Sequence, residues 1–214
     1  MKLTIDGQHL EMTAERAVFW EEEKALILSD THFGKGGHFR KAGIAVPNQV
    51  QDRDLAQLEF LVSRFQPKEL IIVGDMFHSH ANRELEKFAV WRSRFSSLRI
   101  ILVEGNHDIL PKEFYQKNKI NLEQDGWQKE PFSFAHHPPE KNNGRFTFSG
   151  HLHPGVLVNG GGGRKLRLPC YWFSNNCVVL PAFSQFTGLY IIEPKPGDKI
   201  VAVVEDELIA LNNF

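Results

Sequence analysis

Five short apolar runs in this sequence end in residues that bind metal ions or transfer protons. Those residues are aspartate, asparagine and histidine, which offer oxygen and imidazole nitrogen to divalent cations. In chain order they are Asp30 and His32, then Asp75, then Asn106, His107 and Asp108, then His136 and His137, then His151 and His153. The set contains no thiolate, and its oxygen and nitrogen donors suit divalent transition metals. The sequence therefore predicts a metal site.

The apolar runs before these residues predict buried strands. They cover residues 25–28, 70–73, 100–103, 132–135 and 146–149. Ligands in open α/β sheets bind beyond the carboxyl ends of the strands, so these five ends are expected to deliver their polar side chains to one crevice.

The number of ligands suits two ions. A pair of divalent ions about 3.5–4 Å apart needs roughly four protein ligands each, with one carboxylate shared. Asp30 and His32 are expected to bind one ion, and Asp75 is expected to bridge both, because a carboxylate offers two charged oxygens. The remaining predicted ligands are Asn106, His136, His151 and His153, with the last two on different ions. The mixture of nitrogen and oxygen favours Mn²⁺, with iron or zinc as alternatives.

Length and pattern favour a single α/β domain over residues 1–214. The chain has 214 residues, of which 42% are hydrophobic, enough for one large core. A hairpin is expected at Asp6-Gly7 and helices over 48–65 and 84–95, with parallel strands between them. Beyond Trp127 the pattern changes to short alternating strands, with turns at Asn142-Asn143-Gly144, Asn159-Gly160 and Pro196-Gly197.

Composition limits the partners and the compartment. A formal net charge of -1 argues against a polycationic coat for nucleic acid, although a local basic patch remains open. No apolar stretch of membrane-spanning length and no leader pattern is found, so we expect a cytoplasmic protein without a membrane partner. Cys170 and Cys177 are expected to be free and buried.

The five motifs in this order resemble the signature of the calcineurin-like metallophosphoesterase superfamily. Residues 30–35, 39–47, 167–173 and 180–188 further resemble its bacterial ligase-associated, DNA-damage-response branch. The resemblance implies a four-layer αββα sandwich of two mixed β-sheets flanked by helices. It also implies a dinuclear-metal phosphodiesterase or endonuclease of DNA repair, with DNA-ligase-associated repair proteins as partners.

The same resemblance implies the catalytic residues. His107 would stabilise the phosphoryl group or protonate the leaving oxygen, and Asp108 would orient the His107 imidazole. We prefer His136 to His137 as the ligand, because His136 directly follows its strand, and expect His137 to line the pocket. Lys35, Arg40 and His78 are further substrate-binding candidates. His78 and His80, which closely follow Asp75, are expected either to face the substrate or to be ordinary loop residues.

The substrate stays open between several alternatives. Arg164, Lys165 and Arg167 follow a glycine-rich loop and, with Lys41 near Lys35, could contact a DNA backbone. Phe33, Phe39 and Trp172 could stack on bases, although such residues more often belong to the core. The main alternative function is hydrolysis of a small phosphate ester or cyclic nucleotide. A non-catalytic metal-binding partner protein and a structural zinc site fit less well, because Asn106-His107-Asp108 is intact and thiolates are absent.

An exposed edge strand over 200–204 is a candidate for pairing between subunits, and the oligomeric state is open.

Overall fold

The computed structural model describes residues 1–41, 43–44, 46, 49–78, 83–141, 144–160 and 164–211. Several positions named above lie outside the described residues, namely residues 42, 45, 47, 48, His80, Asn142, Asn143 and Gly161–Gly163. The side chain of Lys41 is likewise outside them.

Helices and strands alternate in the first part of the described chain, and strands alone follow. The helices are α1 (Lys35–Lys41), α2 (Val50–Phe65), α3 (Arg83–Arg94) and α4 (Lys112–Lys117). The first strands are β1 (Lys2–Ile5), β2 (Gln8–Met12), β3 (Val18–Trp20), β4 (Ala25–Leu28), β5 (Glu69–Val73), β6 (Arg99–Val103) and β7 (Ile120–Glu123). The later strands are β8 (Trp127–Lys129), β9 (Phe132–Ala135), β10 (Thr147–Ser149), β11 (Pro154–Asn159), β12 (Lys165–Ser174), β13 (Cys177–Val179), β14 (Tyr190–Ile191), β15 (Lys199–Val204) and β16 (Glu207–Leu211).

Strands β1 to β7 form the first sheet in chain order. β1 to β4 are antiparallel neighbours, whereas β4 to β7 pair in parallel. The predicted hairpin joins β1 and β2, where Asp6 (φ 49°) and Gly7 (φ 77°) both adopt positive φ. That conformation is the one a tight two-residue hairpin requires.

The second sheet has the strand order β14-β11-β12-β13-β10-β9-β8, with β15 added to β12 and β16 added to β15. β10 is parallel to both β9 and β13, while β12 is antiparallel to β11, β13 and β15. Both sheets are therefore mixed.

Alternating side chains of the first sheet supply two separate cores. Leu26 and Leu28 of β4 pack in the cluster that includes Leu58 of α2 and Phe88 of α3. Ile27, between them, packs instead in the cluster shared with the second sheet. Because side chains of a strand point alternately to opposite faces, each central strand is buried on both sides.

These observations confirm the predicted α/β fold of two mixed sheets with flanking helices. Within the described part of the chain the helices all precede β7, and the outer cluster of the second sheet consists of strand residues with Ile192. The prediction of an exposed edge strand over 200–204 is wrong, because β15 is paired on both sides by β12 and β16.

Cys170 and Cys177 are free and buried, and burial raises the pKa of each thiol to about 12. No helix among the described residues is long and apolar enough to cross a membrane.

Candidate metal centre

The register of the parallel strands brings the predicted ligands to one edge of the sandwich. Leu28 of β4 pairs with Ile72 of β5, and Ile72 pairs with Leu102 of β6, so the segments after these strands start side by side. Pairing continues past the strand ends, because the Asp30 N–H donates to the Gly74 carbonyl (3.1 Å) and the His32 N–H donates to the Asp75 carbonyl (3.0 Å).

The second sheet brings its histidines to this edge in the same way, through strands whose ends pair with each other. Ala135 at the end of β9 pairs with Ser149 at the end of β10. His136 and His151 follow these residues closely, so their rings meet with centroids 4.9 Å apart. The site is therefore built from the strand ends of both sheets.

The backbone at the predicted ligands is unusual. Five of them have φ in the left-handed region, namely Asp30 (53°), His32 (45°), Asp75 (51°), His151 (70°) and His153 (50°). Positive φ is uncommon outside glycine and costs on the order of 1–3 kcal/mol per residue when strained. Such strain persists where surrounding contacts fix it, and here it turns successive side chains toward one point.

We call Asp30, His32 and His153 the inner donor group. The Nε2 atoms of His32 and His153 lie 3.1 Å apart, and His153 Nε2 lies 3.3 Å from Asp30 Oδ1. Donor atoms of these three residues all lie within 4.8 Å of one another. Asp30 and His32 are buried, and His153 is half-buried.

We call Asn106, His136 and His151 the outer donor group. His136 Nε2 lies 3.1 Å from Asn106 Oδ1 and 3.2 Å from His151 Nδ1. His136 is fully buried, whereas His151 is half-buried and Asn106 is exposed. His151 and His153 thus belong to different groups.

The carboxylate of Asp75 lies between the two groups. Its Oδ2 is 3.9 Å from His32 Nε2, and its Oδ1 is 3.4 Å from His136 Nε2. Oδ1 also accepts a hydrogen bond from the His107 backbone N–H (2.9 Å). Asp75 therefore occupies the position that a bridging ligand requires.

Two glycines let the ligands approach each other. A Cβ on Gly74 would lie 1.9 Å from His136 Nδ1, and a Cβ on Gly105 would lie 2.4 Å from both the backbone nitrogen and Oδ1 of Asp75. Both contacts are shorter than real Cβ atoms allow, so a glycine is needed at each position.

Burial favours the neutral, metal-binding form of His32 and His151. The pKa of His32 is far below its ordinary value, first because of burial and then because Lys35 and neighbouring histidines add positive charge. Burial also lowers the pKa of His151, assisted by His136 and His137. A neutral imidazole has a free lone pair, so protons compete weakly at these nitrogens.

His107 lies beside this centre, but Asp108 does not hold its ring in the described hydrogen bonds. The His107 ring centroid is 5.6 Å from that of His32 and 4.6 Å from that of His78. The carboxylate of Asp108 accepts instead from the Phe77 N–H (Oδ1, 3.0 Å) and the Gly105 N–H (Oδ2, 3.0 Å). The predicted orienting role is thus corrected: Asp108 fixes the loops after β5 and β6. Burial raises the pKa of its carboxyl to about 7.

The substrate-binding candidates lie at different distances from the centre. His78 Nδ1 is 3.4 Å from His32 Nδ1, and Lys35 is half-buried and interacts electrostatically with Asp30 and Asp75. Arg40 donates to the Val46 carbonyl (3.3 Å). His137 is exposed, with Nδ1 3.6 Å from Asp125 Oδ2, and shares a donor cluster with His136 and His151. His136 is therefore better placed as the ligand and His137 at the rim.

Sequence reasoning missed the support of Asp30 by Asp54 and Ser184. Asp54 in α2 is buried and accepts from the Ser184 hydroxyl (Oδ2, 2.7 Å), while the Ser184 N–H donates to the Asp30 carbonyl (3.3 Å). The resemblance of residues 180–188 to the branch signature marked this segment, but no local sequence pattern shows that the Asp54 carboxylate in α2 is buried.

The donor set fits two divalent ions. Asp30 and Asp75 are buried carboxylates whose described neighbours are mainly imidazole nitrogens, and pairs of these nitrogens face each other at 3.1 and 3.2 Å. Lys35 brings one positive charge to these two carboxylates, which leaves buried negative charge that a bound cation would balance, and the nitrogen and oxygen mixture suits a transition metal.

The fold and the two donor groups define a class of protein, and a comparison with protein-family models identifies that class. A family model for calcineurin-like phosphoesterases matches residues 24–204. The chain belongs to this family and is a metal-dependent phosphoesterase.

Two solved structures show what the chain resembles. The nuclease MPE of Pseudomonas putida is 29% identical, with 99% of both chains covered and a TM-score of 0.85. The phosphoesterase YfcE of E. coli is 17% identical over 87% of this chain and 96% of that chain, with a TM-score of 0.44. No curated protein matches the chain.

Proposed function

We propose that this protein is a phosphodiesterase that uses two Mn²⁺ ions to cut DNA during repair. The main support is the convergence of the inner and outer donor groups on the shared carboxylate of Asp75. Similarity to a nuclease over nearly the whole chain supports the choice of substrate. The proposal includes a cytoplasmic location and DNA-ligase-associated repair proteins as partners.

The residues of each group have distinct tasks in this proposal. Asp30, His32 and His153 would hold one ion, Asn106, His136 and His151 would hold the other, and Asp75 would contact both. When bound, the two ions would neutralise phosphate oxygens and lower the pKa of a water molecule. Iron or zinc is the alternative to Mn²⁺ with the same ligands.

His107 is the proposed acid for the leaving oxygen. Its backbone N–H is fixed by Asp75 Oδ1, so its position is tied to the bridging ligand. The His78 ring lies beside it on the side of His32. His107 would donate a proton to the leaving alkoxide, and Lys35 and His78 would contact the phosphate.

A basic ribbon next to the centre supports a polynucleotide substrate. β11 starts directly after His153, and its residue Leu157 pairs with Arg167 of β12. Lys165 and Arg167 alternate in phase with Tyr171, which packs in the core between the sheets. They therefore lie on the face of the second sheet that is turned toward the first sheet, and both are exposed. Cations in this place can contact the phosphates that flank the scissile one.

The test is an activity panel with Mn²⁺. It compares bis-p-nitrophenyl phosphate, the corresponding monoester, a 2′,3′-cyclic nucleotide, and single- and double-stranded DNA. We expect cleavage of the diester and of DNA, with steep loss of DNA cleavage as salt rises. His107→Ala should lower the rate by about 100- to 10,000-fold at unchanged metal content.

Other outcomes would redirect the proposal. Preference for the cyclic nucleotide or the monoester without DNA cleavage would support the small-substrate alternative. Undiminished activity of His107→Ala would remove the acid role. Lys165→Gln with Arg167→Gln should flatten the salt dependence on DNA, and Lys199→Gln, at the opposite end of the second sheet, is the matched control.

A further inference from the structure

A series of ring contacts leads from the inner donor group to the protein surface. The ring of His32 meets that of His78 (centroids 5.2 Å apart), and His78 stacks with Phe39 (6.1 Å). Phe39 in turn meets Phe186 edge to face (6.0 Å). Phe39 and Phe186 are half-buried, unlike the core rings of Phe33 and Phe183.

The segment that presents Phe186 is fixed to the metal centre through its backbone. The Phe183 N–H donates to the Ser29 carbonyl (2.9 Å), next to Asp30. The Phe186 N–H donates to the Ser184 hydroxyl (3.2 Å), which itself donates to the buried carboxylate of Asp54. The position of the Phe186 ring is thus set relative to the inner donor group.

Two further contacts restrain the same segment. The half-buried Arg16 donates from Nη1 to the carbonyls of Ala182 (3.1 Å) and Ser184 (3.2 Å). The Gln185 N–H donates to Asp54 Oδ1 (3.2 Å). A partly exposed aromatic ring on a segment restrained by these hydrogen bonds is preorganised for binding.

A cationic side chain and the ring lie at one small cavity. His32, Lys35 and Phe186 line it together with residues of α2, and its volume of about 10 Å³ has room for only one water molecule, so the cavity shows that these side chains are neighbours and a ligand would lie outside it. Lys35 can meet a phosphate charge, and Phe186 can meet a flat apolar group attached to that phosphate. A nucleotide combines these two features.

We propose that Phe186, with Phe39, binds a nucleobase of the substrate by stacking, next to the phosphate at the metal centre. This inference rests on the proposed function and adds a contact to the base. Stacking on an aromatic side chain tolerates any base and changes binding by about 5- to 150-fold per base. Phe186 therefore distinguishes a nucleotide diester from a diester without bases.

The experiment uses the Mn²⁺-loaded full chain and dinucleoside phosphates with one scissile bond. Thymidylyl-thymidine is compared with the same diester lacking both bases, and with the two analogues lacking one base. The measured quantity is the ratio of kcat/KM for thymidylyl-thymidine to that for the baseless diester. We expect Phe186→Leu to lower this ratio by about 5- to 150-fold, and Phe186→Trp to keep it. The single-base analogues show which base is stacked.

A matched control and a second measurement complete the design. Phe60→Leu removes another exposed ring, on α2 (52% exposed), and should leave the ratio unchanged. An unchanged ratio in Phe186→Leu, with normal metal content, would overturn the inference. If thymidylyl-thymidine is not cleaved, its inhibition of bis-p-nitrophenyl phosphate hydrolysis is measured. Inhibition that depends on Phe186 and on the bases would support stacking while the nuclease proposal fails, and inhibition independent of them would reject stacking.

Discussion

The inner and outer donor groups differ in depth although they share one carboxylate. The inner group contains two buried residues, Asp30 and His32, and both have left-handed backbone. The outer group combines the fully buried His136 with the exposed Asn106 and the half-buried His151, and the exposed His137 lies at its rim. The outer position is therefore more open to solvent than the inner one, where only His153 is partly exposed.

This difference suggests a division of tasks. The inner position is surrounded by loops of both sheets and by the Asp54-supported segment, so its ligands are held before any ion binds. The outer position has open directions for exchange and for substrate. Asp75 couples the two, and changes to it should affect both positions at once.

The largest expected effect comes from Asp75→Asn. The substitution removes the negative charge that offsets both ions, while the amide keeps the shape of the side chain. Loss of a residue that only supports a ligand costs about 10- to 100-fold in metal affinity, so loss of the bridge should exceed about 100-fold in activity. Metal content by elemental analysis should fall at both positions.

The control for this substitution is Asp52→Asn on α2, whose exposed carboxylate pairs with Lys87. It should keep metal content and activity. Retention of two ions per chain in Asp75→Asn would contradict the bridging position.

Much of this architecture follows from the sequence because it depends on local pattern. The buried runs predicted the central strands, and β9 coincides with the predicted 132–135. Helix α2 begins at Val50, close to the predicted start at 48. Helix α1 was not predicted, because Gly36 and Gly37 are poor helix formers.

The details of the centre depend on contacts distant in sequence. The hydrogen bonds of Asp108 form only when the loops after β5 and β6 lie together, and no local sequence pattern predicts the left-handed φ values of the ligands. The Asp54 to Ser184 bond joins residues from opposite ends of the chain. Residue types thus predicted which side chains meet, while tertiary packing decided how each is held.

Gly105→Ala tests the position of the Asp75 side chain without changing its charge. Gly105→Ala places a methyl group 2.4 Å from the Asp75 backbone nitrogen and changes no ligand. We expect a loss of about 1–3 kcal/mol in the free energy of unfolding from overpacking. Metal affinity should fall by about 10- to 100-fold as Asp75 shifts.

Gly188→Ala is the matched control, because a Cβ there meets nothing within 4 Å. Denaturant unfolding and metal titration on both variants measure the difference. Equal behaviour of the two variants would show that the loop after β6 yields to the methyl group without moving Asp75.

Removal of the metal ions by a chelator over time tests the difference in burial between the inner and outer donor groups. With excess chelator, we expect one ion to leave quickly from the outer group and the second to leave slowly from the inner group. Elemental analysis at successive times should show a plateau near one ion per chain. Loss of both ions in a single phase would show that the difference in exposure has no kinetic consequence.

The smallest expected effect is a pH dependence of stability in the metal-free protein. Burial keeps the pKa of His32 well below the ordinary value of 6.5 that applies to the unfolded chain. Below pH 6.5 the unfolded state therefore binds a proton that the folded state does not. The stabilising contribution of neutral His32 is complete above pH 6.5 and is lost as pH falls, by about 1.4 kcal/mol per pH unit. Urea unfolding of the chelated protein between pH 7.5 and 5.5 measures the slope, and His32→Gln, which cannot titrate, should reduce it by about one proton. Equal slopes in the two proteins would place the proton uptake at other groups and remove this distinction of the inner group.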